Sequence, residues 1–257
     1  MTTVDPVHRA QRYRAMLALP ASIEDWEFTS VLISRPIGFL LLYVFERFAF
    51  LTPNRITLLS FLSFLGAAFY IAHAPHAVEV IAVLLFVRLV LDDFDGMLAR
   101  ARGASSYFGS YLDKVTDIIG FFVFFMVLGF QESQAQNDPR LLMLAAAGIT
   151  SLVTTGYIKW VVRAMEPAPS APPSATSSTA PLSTHSTLPI PRWRVVLILL
   201  VRLVAVNECD IFLFSIVLVL LRQYHLLLWV FSISQMVLCI GMIIKRGYRA
   251  WVLDRRQ

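Results

Sequence analysis

The sequence predicts an all-α integral membrane protein with six transmembrane helices preceded by an interfacial amphipathic helix. Of its 257 residues, 57% are hydrophobic and only 15% are charged, a composition typical of a chain that crosses a bilayer several times. The apolar residues form runs of about 20 residues, which is the length that an α-helix needs to span a membrane. A third observation is a group of four aspartates placed inside this apolar sequence.

The apolar runs can be assigned in order along the chain. The segment 34–52 is short and contains Glu46 and Arg47 near its end, which favours a helix lying in the membrane interface. A seventh crossing there is disfavoured because it would separate the N-terminal arginines from the other basic residues. The six predicted spans follow this segment, at 55–73, 77–100, 107–130, 140–163, 203–221 and 225–244.

These elements divide the chain into six regions. They are a cytoplasmic N-terminal segment (1–33), the interfacial helix (34–52), the first four transmembrane helices with the acidic site (53–165), a linker (166–192), the last two transmembrane helices (193–246) and a basic cytoplasmic tail (247–257). The linker is rich in Pro, Ser, Thr and Ala and cannot bury a core, so we predict a disordered cytoplasmic tether.

Lys and Arg residues concentrate at one set of helix ends, and this bias predicts the orientation of the protein. With six crossings, most basic residues fall on the side of both termini, whereas the other side carries mainly Arg140, Arg222 and the loop QESQAQND. By the positive-inside rule, both termini and the acid-rich helix ends are cytoplasmic. Topology and lipid headgroups explain the formal net charge of +5, so we expect no nucleic-acid partner.

Four aspartates lie within the segment DDFDGMLARARGASSYFGSYLDKVTD. Asp92 and Asp95 are three positions apart and Asp113 and Asp117 are four apart, so each pair lies on one helix face. The short turn between the two helices makes them antiparallel neighbours, which brings the four carboxylates together at the membrane surface. Acids near lipid are costly unless they are paired or bind a metal. Two Mg²⁺ or Mn²⁺ ions would relieve their repulsion and create a diphosphate-binding site.

Small residues open the same helix faces. Gly96 follows Asp95, and Ala99 lies nearly beneath it one turn later, so a flat ligand or another helix could approach the backbone there. Arg100 is one turn beyond Gly96 and is placed to pair with a phosphate or with an acid. Gly109, four residues before Asp113, continues the open face.

The fixed positions of this region resemble the signature of the CDP-alcohol phosphatidyltransferase family: Asp92-x-x-Asp95-Gly96-x-x-Ala99-Arg100, eight residues, then Gly109-x-x-x-Asp113-x-x-x-Asp117. The Pro53-Asn54-x-x-Thr57 entry to the first predicted span is also similar to that family, as is an interfacial helix followed by six crossings. The resemblance implies an enzyme of phospholipid biosynthesis. Such an enzyme transfers a phosphatidyl or other phosphoalcohol group from a CDP-alcohol, here expected to be CDP-diacylglycerol, to an acceptor alcohol with release of CMP.

The resemblance also implies a role for each motif residue. Asp92, Asp95, Asp113 and Asp117 would hold two divalent ions, Mg²⁺ or Mn²⁺, and Asp117 would also act as general base on the acceptor hydroxyl. A surrounding set would bind the CDP moiety: Asn54, Thr57, Gly96, Ala99, Arg100, Ser106 and Gly109. The resemblance further implies a homodimer embedded in membrane lipids.

The acceptor alcohol stays open at this point, with glycerol phosphate, inositol phosphate, serine and a lipid as alternatives. We expect a phosphorylated acceptor, which needs basic side chains on the side of the metal site. The candidates are Lys159, Arg163 and Arg202, at the predicted cytoplasmic ends of two helices. Anchoring by the positive-inside rule explains these three residues equally well.

Two other functions are compatible with acids on a membrane helix. The string DDFDG resembles the DDxxD motif of aspartate-rich membrane prenyltransferases, but those enzymes separate their two motifs widely, whereas here both lie in one helical hairpin. A cation transporter would hold its acids near the midplane on broken helices, often within repeats, and we detect no repeat. The released product discriminates the three functions: CMP for a phosphatidyltransferase, pyrophosphate for a prenyltransferase and neither for a transporter.

Overall fold

The computed structural model describes residues 29–165 and 208–255, and within these ranges every regular element is a helix. A π-helical turn, Ser30–Ser34, leads directly into the first helix. The helices are α1 (Arg35–Phe45), α2 (Pro53–His73), α3 (Val78–Arg102), α4 (Tyr107–Gln136), α5 (Arg140–Met165), α6 (Glu208–Leu220) and α7 (Tyr224–Asp254). The predicted all-α class is confirmed for this part of the chain.

Within the described residues, three helices are long and apolar enough to cross a membrane: Pro53–His73, Arg140–Val162 and Tyr224–Val252. Helices α3 and α4 have 25 and 30 residues, which also exceeds the length needed for a crossing, and they carry the acidic motif. The predicted linker and the start of the fifth predicted span lie outside the described residues. The number of six crossings and the interfacial position of 34–52 therefore stay predictions.

Two helices extend beyond their predicted apolar spans. Helix α7 continues past residue 244, the predicted end of the last span, to Asp254, and α4 continues past residue 130 to Gln136. Lys, Arg, Glu and Gln favour the helical conformation about as well as Leu does. The end of an apolar run therefore marks a change of environment and not the end of the helix.

Local signals at three positions determine how the acidic helices meet. Pro53 opens α2 after Thr52, whose backbone is extended (φ −90°, ψ 151°), as expected for a proline in the first helical turn. Gly103 ends α3 in the left-handed region with φ 63°, a conformation that glycine adopts without a Cβ clash. Ser106 caps α4 by accepting a hydrogen bond from the Gly109 N–H at 3.0 Å. The connection between α3 and α4 is thereby held to 103–106.

Phenylalanine rings form the centre of the helical core. Helix α2 packs against both α3 and α4, α5 packs against α7, and α3 packs against α6. Phe64 of α2 contacts the rings of Phe121 on α4 and Phe212 on α6, with centroid distances of 5.4 and 5.0 Å. A Cβ at Gly120 would lie 2.5 Å from the Phe64 ring, so a glycine there is required for the close approach of α2 and α4. Because α2 contacts both, it fixes the positions of α3 and α4 relative to each other.

Candidate active site

Three of the four motif aspartates meet where the end of α3 faces the start of α4. Asp92, Asp113 and Asp117 are half-buried, and one carboxylate oxygen from each lies within 4.8 Å of the others. The antiparallel hairpin brings these residues together, because each acid pair occupies one face of its helix. Three carboxylates this close repel one another unless cations lie between them.

Asp95, the fourth predicted ligand, is buried and has a different protein partner. Its carboxylate accepts a hydrogen bond from the hydroxyl of Thr57 on α2, and Thr57 also contacts the Pro53 carbonyl at 3.2 Å. Thr57 was expected to contact the nucleotide. In the structure its hydroxyl orients Asp95, while the residue still lines the neighbouring cavity.

A cavity of about 230 Å³ opens between α2, the end of α3 and the start of α4. All seven residues predicted to bind the CDP moiety line it, namely Asn54, Thr57, Gly96, Ala99, Arg100, Ser106 and Gly109. Asp95 and Asp113 line its inner side. We call it the small-residue cavity, since Pro53, Ala104, Ser105 and Ser110 complete its wall.

The absence of side chains at two glycines gives the small-residue cavity its width. A Cβ at Gly109 would lie 3.1 Å from the Ser106 Oγ and 3.2 Å from the Asn54 Oδ1. A Cβ at Gly96 would lie 3.2 Å from the Arg100 Nη1. The Arg100 guanidinium therefore lies back over Gly96, with its charge at the cavity wall.

A second cavity, of about 280 Å³, continues from the first and contains the acids. We call it the acidic cavity. The two share Asp95, Gly96, Arg100 and Asp113. Five aspartates line the acidic cavity (Asp92, Asp93, Asp95, Asp113 and Asp117), together with the three cations Arg88, Arg100 and Lys114. A ligand could therefore extend from the small-residue cavity into the acidic one without crossing a helix.

Arg88 is the most important residue that the sequence left without a role. It is only 3% exposed, and its guanidinium forms ion pairs with Asp92, four residues later on α3, and with Asp117 on α4. Its spacing of four residues to Asp92 was a detectable signal in the sequence. Its contact with Asp117 required knowledge of how the two helices pack.

Lys114 was also missed. Its Nζ lies 3.0 Å from the Asp113 Oδ2 and 3.5 Å from the Asp117 Oδ2, and its side chain is 59% exposed. Lys114 lines both the acidic cavity and a third, mainly apolar cavity of about 290 Å³ between α4 and α5. Its proximity to Asp113 and Asp117 could be inferred from the sequence only after those two aspartates had been predicted to bind a metal.

The acceptor candidates are not brought together with the acids by the described structure. Lys159 is exposed on α5 and does not line any of the three cavities, although its neighbours Tyr157 and Trp160 line the third one. The Arg163 side chain and the whole of Arg202 lie outside the described residues. Their role in binding the acceptor stays a prediction.

The donor atoms of the acidic cavity fit a hard divalent cation. Mg²⁺ and Mn²⁺ prefer oxygen ligands, and the converging groups of Asp92, Asp113 and Asp117 are all carboxylates. Asp95 lies at the same cavity wall. The carboxylates are partly exposed, which leaves access for a phosphate ligand as well, and such ions commonly share phosphate ligands with protein groups.

The chain belongs to the CDP-alcohol phosphatidyltransferase family. The family model matches residues 50–204, more than half of the 257 residues, and this range includes the whole acidic motif and the start of α2. The match confirms the resemblance that the motif spacing indicated. Together with the apolar helices, it identifies an integral membrane protein.

Two curated relatives are similar to part of the chain. The archaetidylinositol phosphate synthase of Pyrococcus horikoshii is 42% identical over 69 residues, which cover 26% of this chain and 35% of that protein. The bifunctional IPC transferase and DIPP synthase of Aquifex aeolicus is 34% identical over 86 residues, which cover 34% of this chain and 19% of that protein. The chain thus spans about a third and about a fifth of the lengths of these two relatives.

A solved structure has a similar fold over most of the chain. It is the crystal structure of the Mycobacterium tuberculosis phosphatidylinositol phosphate synthase with CDP-DAG bound. The TM-score is 0.50 at 19% sequence identity, and the alignment covers 85% of this chain and 92% of that chain. At this identity the likeness establishes a shared fold.

Proposed function

We propose that this protein transfers a phosphatidyl group from CDP-diacylglycerol to a phosphorylated acceptor alcohol and releases CMP. The observation that carries the proposal is the continuity of two cavities, one lined by all seven residues expected to bind the CDP moiety and the other lined by the four motif acids. A nucleotide in the first cavity would place its diphosphate in the second. The solved relative with CDP-DAG bound supports the choice of donor.

We assign two Mg²⁺ or Mn²⁺ ions to the acids Asp92, Asp95, Asp113 and Asp117. Bound there, the cations would neutralise the diphosphate of the donor and the charge that develops on the CMP leaving group. Thr57 would keep the Asp95 carboxylate oriented, because its hydroxyl donates to that carboxylate. Arg100 would contact phosphate oxygens from the wall that both cavities share.

The chemical step is a displacement at the β-phosphorus of the donor. Asp117 takes the proton of the acceptor hydroxyl. The acceptor oxygen then forms a bond to the β-phosphorus, and the bond from that phosphorus to the bridging oxygen of the α-phosphate breaks. CMP leaves with the electron pair, and a phosphodiester remains on the lipid. Asp117 suits the role of base because it lines both the acidic cavity and the third cavity between α4 and α5.

Two observations favour an acceptor that carries a phosphate, and inositol phosphate is the leading candidate. Two of the three similar proteins are named as synthases of an inositol phosphate lipid, namely the archaetidylinositol phosphate synthase and the phosphatidylinositol phosphate synthase. Lys114 supplies an exposed cation beside Asp117, where the acceptor must approach. We retain Lys159, Arg163 and Arg202 as further candidates for contacting the acceptor phosphate.

We further propose six crossings, an interfacial helix at 34–52, and a cytoplasmic position for both termini and the site. Family resemblance adds a homodimer. The orientation is tested by labelling intact cells with an impermeant thiol reagent after Ser178→Cys is introduced into a background with Cys209→Ser and Cys239→Ala. Protection of residue 178 is expected, and ready labelling from outside would refute the orientation.

The function itself is tested with purified protein, CDP-diacylglycerol and a panel of acceptors: inositol phosphate, glycerol phosphate, serine and free inositol. We expect CMP release with a phosphorylated acceptor and little with the neutral ones. CMP release with serine or inositol alone would refute the phosphorylated acceptor. Release of pyrophosphate from a prenyl diphosphate would favour a prenyltransferase, and no release from any substrate would favour a transporter.

A further inference from the structure

We propose that Arg88 is a positioning residue that sets both the orientation of Asp92 and Asp117 and the affinity of the site for divalent cations. Its Nη1 pairs with the Asp92 Oδ1 and its Nη2 with the Asp117 Oδ1. One guanidinium thus links the first and the last acid of the motif across two helices. The planar fork of arginine suits this geometry, because its nitrogens donate in fixed directions.

The surroundings of Arg88 hold it in place. Its Nη1 donates to the Ser60 Oγ at 2.8 Å, and the Ser60 Oγ donates to the Arg88 carbonyl at 3.1 Å. The guanidinium carbon lies 5.8 Å from the centre of the Phe64 ring and 5.2 Å from that of Phe212, within the range of cation–π contacts. Arg88 is therefore part of the core between α2, α3 and α6.

Lys114 differs from Arg88 in how firmly its charge is held near the acids. It also contacts two of the acids, but its side chain is 59% exposed, against 4% for Arg88. An exposed ion pair contributes little stability and is easily given up. A divalent cation arriving at the acids can displace the Lys114 ammonium into solvent, whereas the Arg88 charge stays.

Two consequences follow for the site, given the proposed function. Each ion pair occupies one oxygen of its carboxylate and so fixes the direction of the other. The second oxygen of Asp92 then faces a ligand, and that of Asp117, which is 3.5 Å from the displaceable Lys114 Nζ, is placed for the proton transfer. The permanent positive charge also repels any cation bound to the same carboxylates. Arg88 therefore weakens metal binding while it favours the chemical step.

The test measures Mn²⁺ binding by electron paramagnetic resonance and turnover by CMP release, on the full-length protein in detergent. Arg88→Gln should bind Mn²⁺ at least tenfold more tightly than the wild type, since the repelling charge is gone, and should lose at least tenfold in kcat. Arg88→Lys keeps the charge without the fork, so its Mn²⁺ affinity should stay within threefold of the wild type while kcat still falls. Arg140→Gln, which removes an exposed arginine far from the acids, should change neither quantity.

Opposite shifts in metal affinity and turnover are not expected from a residue that only stabilises the fold, because local unfolding would weaken both. Unchanged or weaker Mn²⁺ binding by Arg88→Gln would overturn the proposal, as would equal Mn²⁺ affinities for the Gln and Lys variants. If Arg88→Gln does not fold, Arg88→Lys is sufficient as a test. A wild-type kcat or a changed Mn²⁺ affinity in Arg88→Lys would refute the proposal. The Mn²⁺ measurement needs no substrate, so it stands even if the wild type releases no CMP.

Discussion

The two ends of helix α4 carry polar clusters of opposite character. Near its end, the Gln131 Nε2 donates to the Ala72 carbonyl at 2.8 Å, and the Tyr224 hydroxyl donates to the Pro75 carbonyl at 2.6 Å. Glu132 faces His225 at 3.7 Å, and the second nitrogen of that histidine accepts from the Trp229 Nε1 at 3.0 Å. We call this group the far cluster. It lies about 20 Å from the acids at 1.5 Å per helical residue.

The difference lies in where the polar groups find their partners. In the far cluster, one acid faces one histidine, and uncharged donors bind backbone carbonyls. The cluster therefore links α4 to the end of α2, and α7 to the turn that follows it. Among the described residues of the acidic cavity, five aspartates meet three cations, and one of these, Lys114, is largely exposed. Negative charge in excess of protein cations is costly near lipid. The partners in the far cluster are protein groups, whereas we propose that metal ions and phosphates complete the acidic cavity.

Removal of divalent metal should have the largest effect, and only at the acidic cavity. We expect exhaustive chelation to abolish CMP release and added Mg²⁺ or Mn²⁺ to restore it, since the acids otherwise repel the donor diphosphate. Mn²⁺ at about 100 times its dissociation constant should stabilise the folded protein by about 2.7 kcal/mol, measurable as a raised Tm. Full activity in excess chelator would show that the acidic cavity needs no metal. It would also remove the main difference between the acidic cavity and the far cluster.

Asp117→Asn should reduce kcat by roughly 10² to 10⁴, the usual contribution of a positioned general base. Donor binding should persist in part, because the small-residue cavity is unchanged. The matched control is Glu132→Gln, which removes an acid from the same helix at the far cluster and should keep kcat within about twofold. Comparable losses in both variants would mean that the two ends of α4 do not differ in function.

Gly109→Ala should weaken donor binding more than it slows the chemical step. Its Cβ would lie 3.1 Å from the Ser106 Oγ and 3.2 Å from the Asn54 Oδ1, which narrows the small-residue cavity. We expect the KM for the CDP-donor to rise about tenfold, a loss of about 1.4 kcal/mol of binding. Gly241→Ala is the control, since its Cβ meets no atom within 4 Å. An unchanged donor KM in Gly109→Ala would place the nucleotide elsewhere.

Lys114→Gln should have the smallest effect and should fall on the acceptor. Its exposed ammonium would contribute roughly 1 kcal/mol to a phosphate contact, so the acceptor KM should rise about fivefold with the donor KM nearly unchanged. Lys159→Gln, measured in parallel, shows whether the cation predicted from the sequence contributes as well. Equal increases for both substrates in Lys114→Gln would contradict an acceptor role.

The sequence predicted the part of the site that depends on local spacing. The intervals within the acidic motif, with the short turn between its two halves, were enough to expect two acid pairs facing each other across a hairpin. The residues expected around the nucleotide depended on family resemblance, and the structure places all seven on one cavity. The helical class followed from apolar runs of membrane-spanning length.

Contacts between distant residues could not be predicted in the same way. Thr57 and Asp95 are 38 positions apart, and Arg88 on α3 reaches Asp117 on α4 because α2 packs against both helices. Asp93, next to Asp92 in the sequence, accepts hydrogen bonds from Ser30, at 2.9 Å, and from Ser34. Spacing along one helix carries no information about such partners, since they depend on the packing of separate helices.

The most direct test of the central claim follows the two phosphorus atoms of the donor. CDP-diacylglycerol labelled with ³²P at either the α- or the β-position is incubated with purified protein, Mg²⁺ and inositol phosphate, and the products are separated into lipid and CMP. Displacement at the β-phosphorus predicts that the β-label appears in the new lipid phosphodiester and the α-label in CMP. Recovery of both labels in CDP would mean that the bond to the lipid carbon is broken instead, and would contradict the proposed reaction.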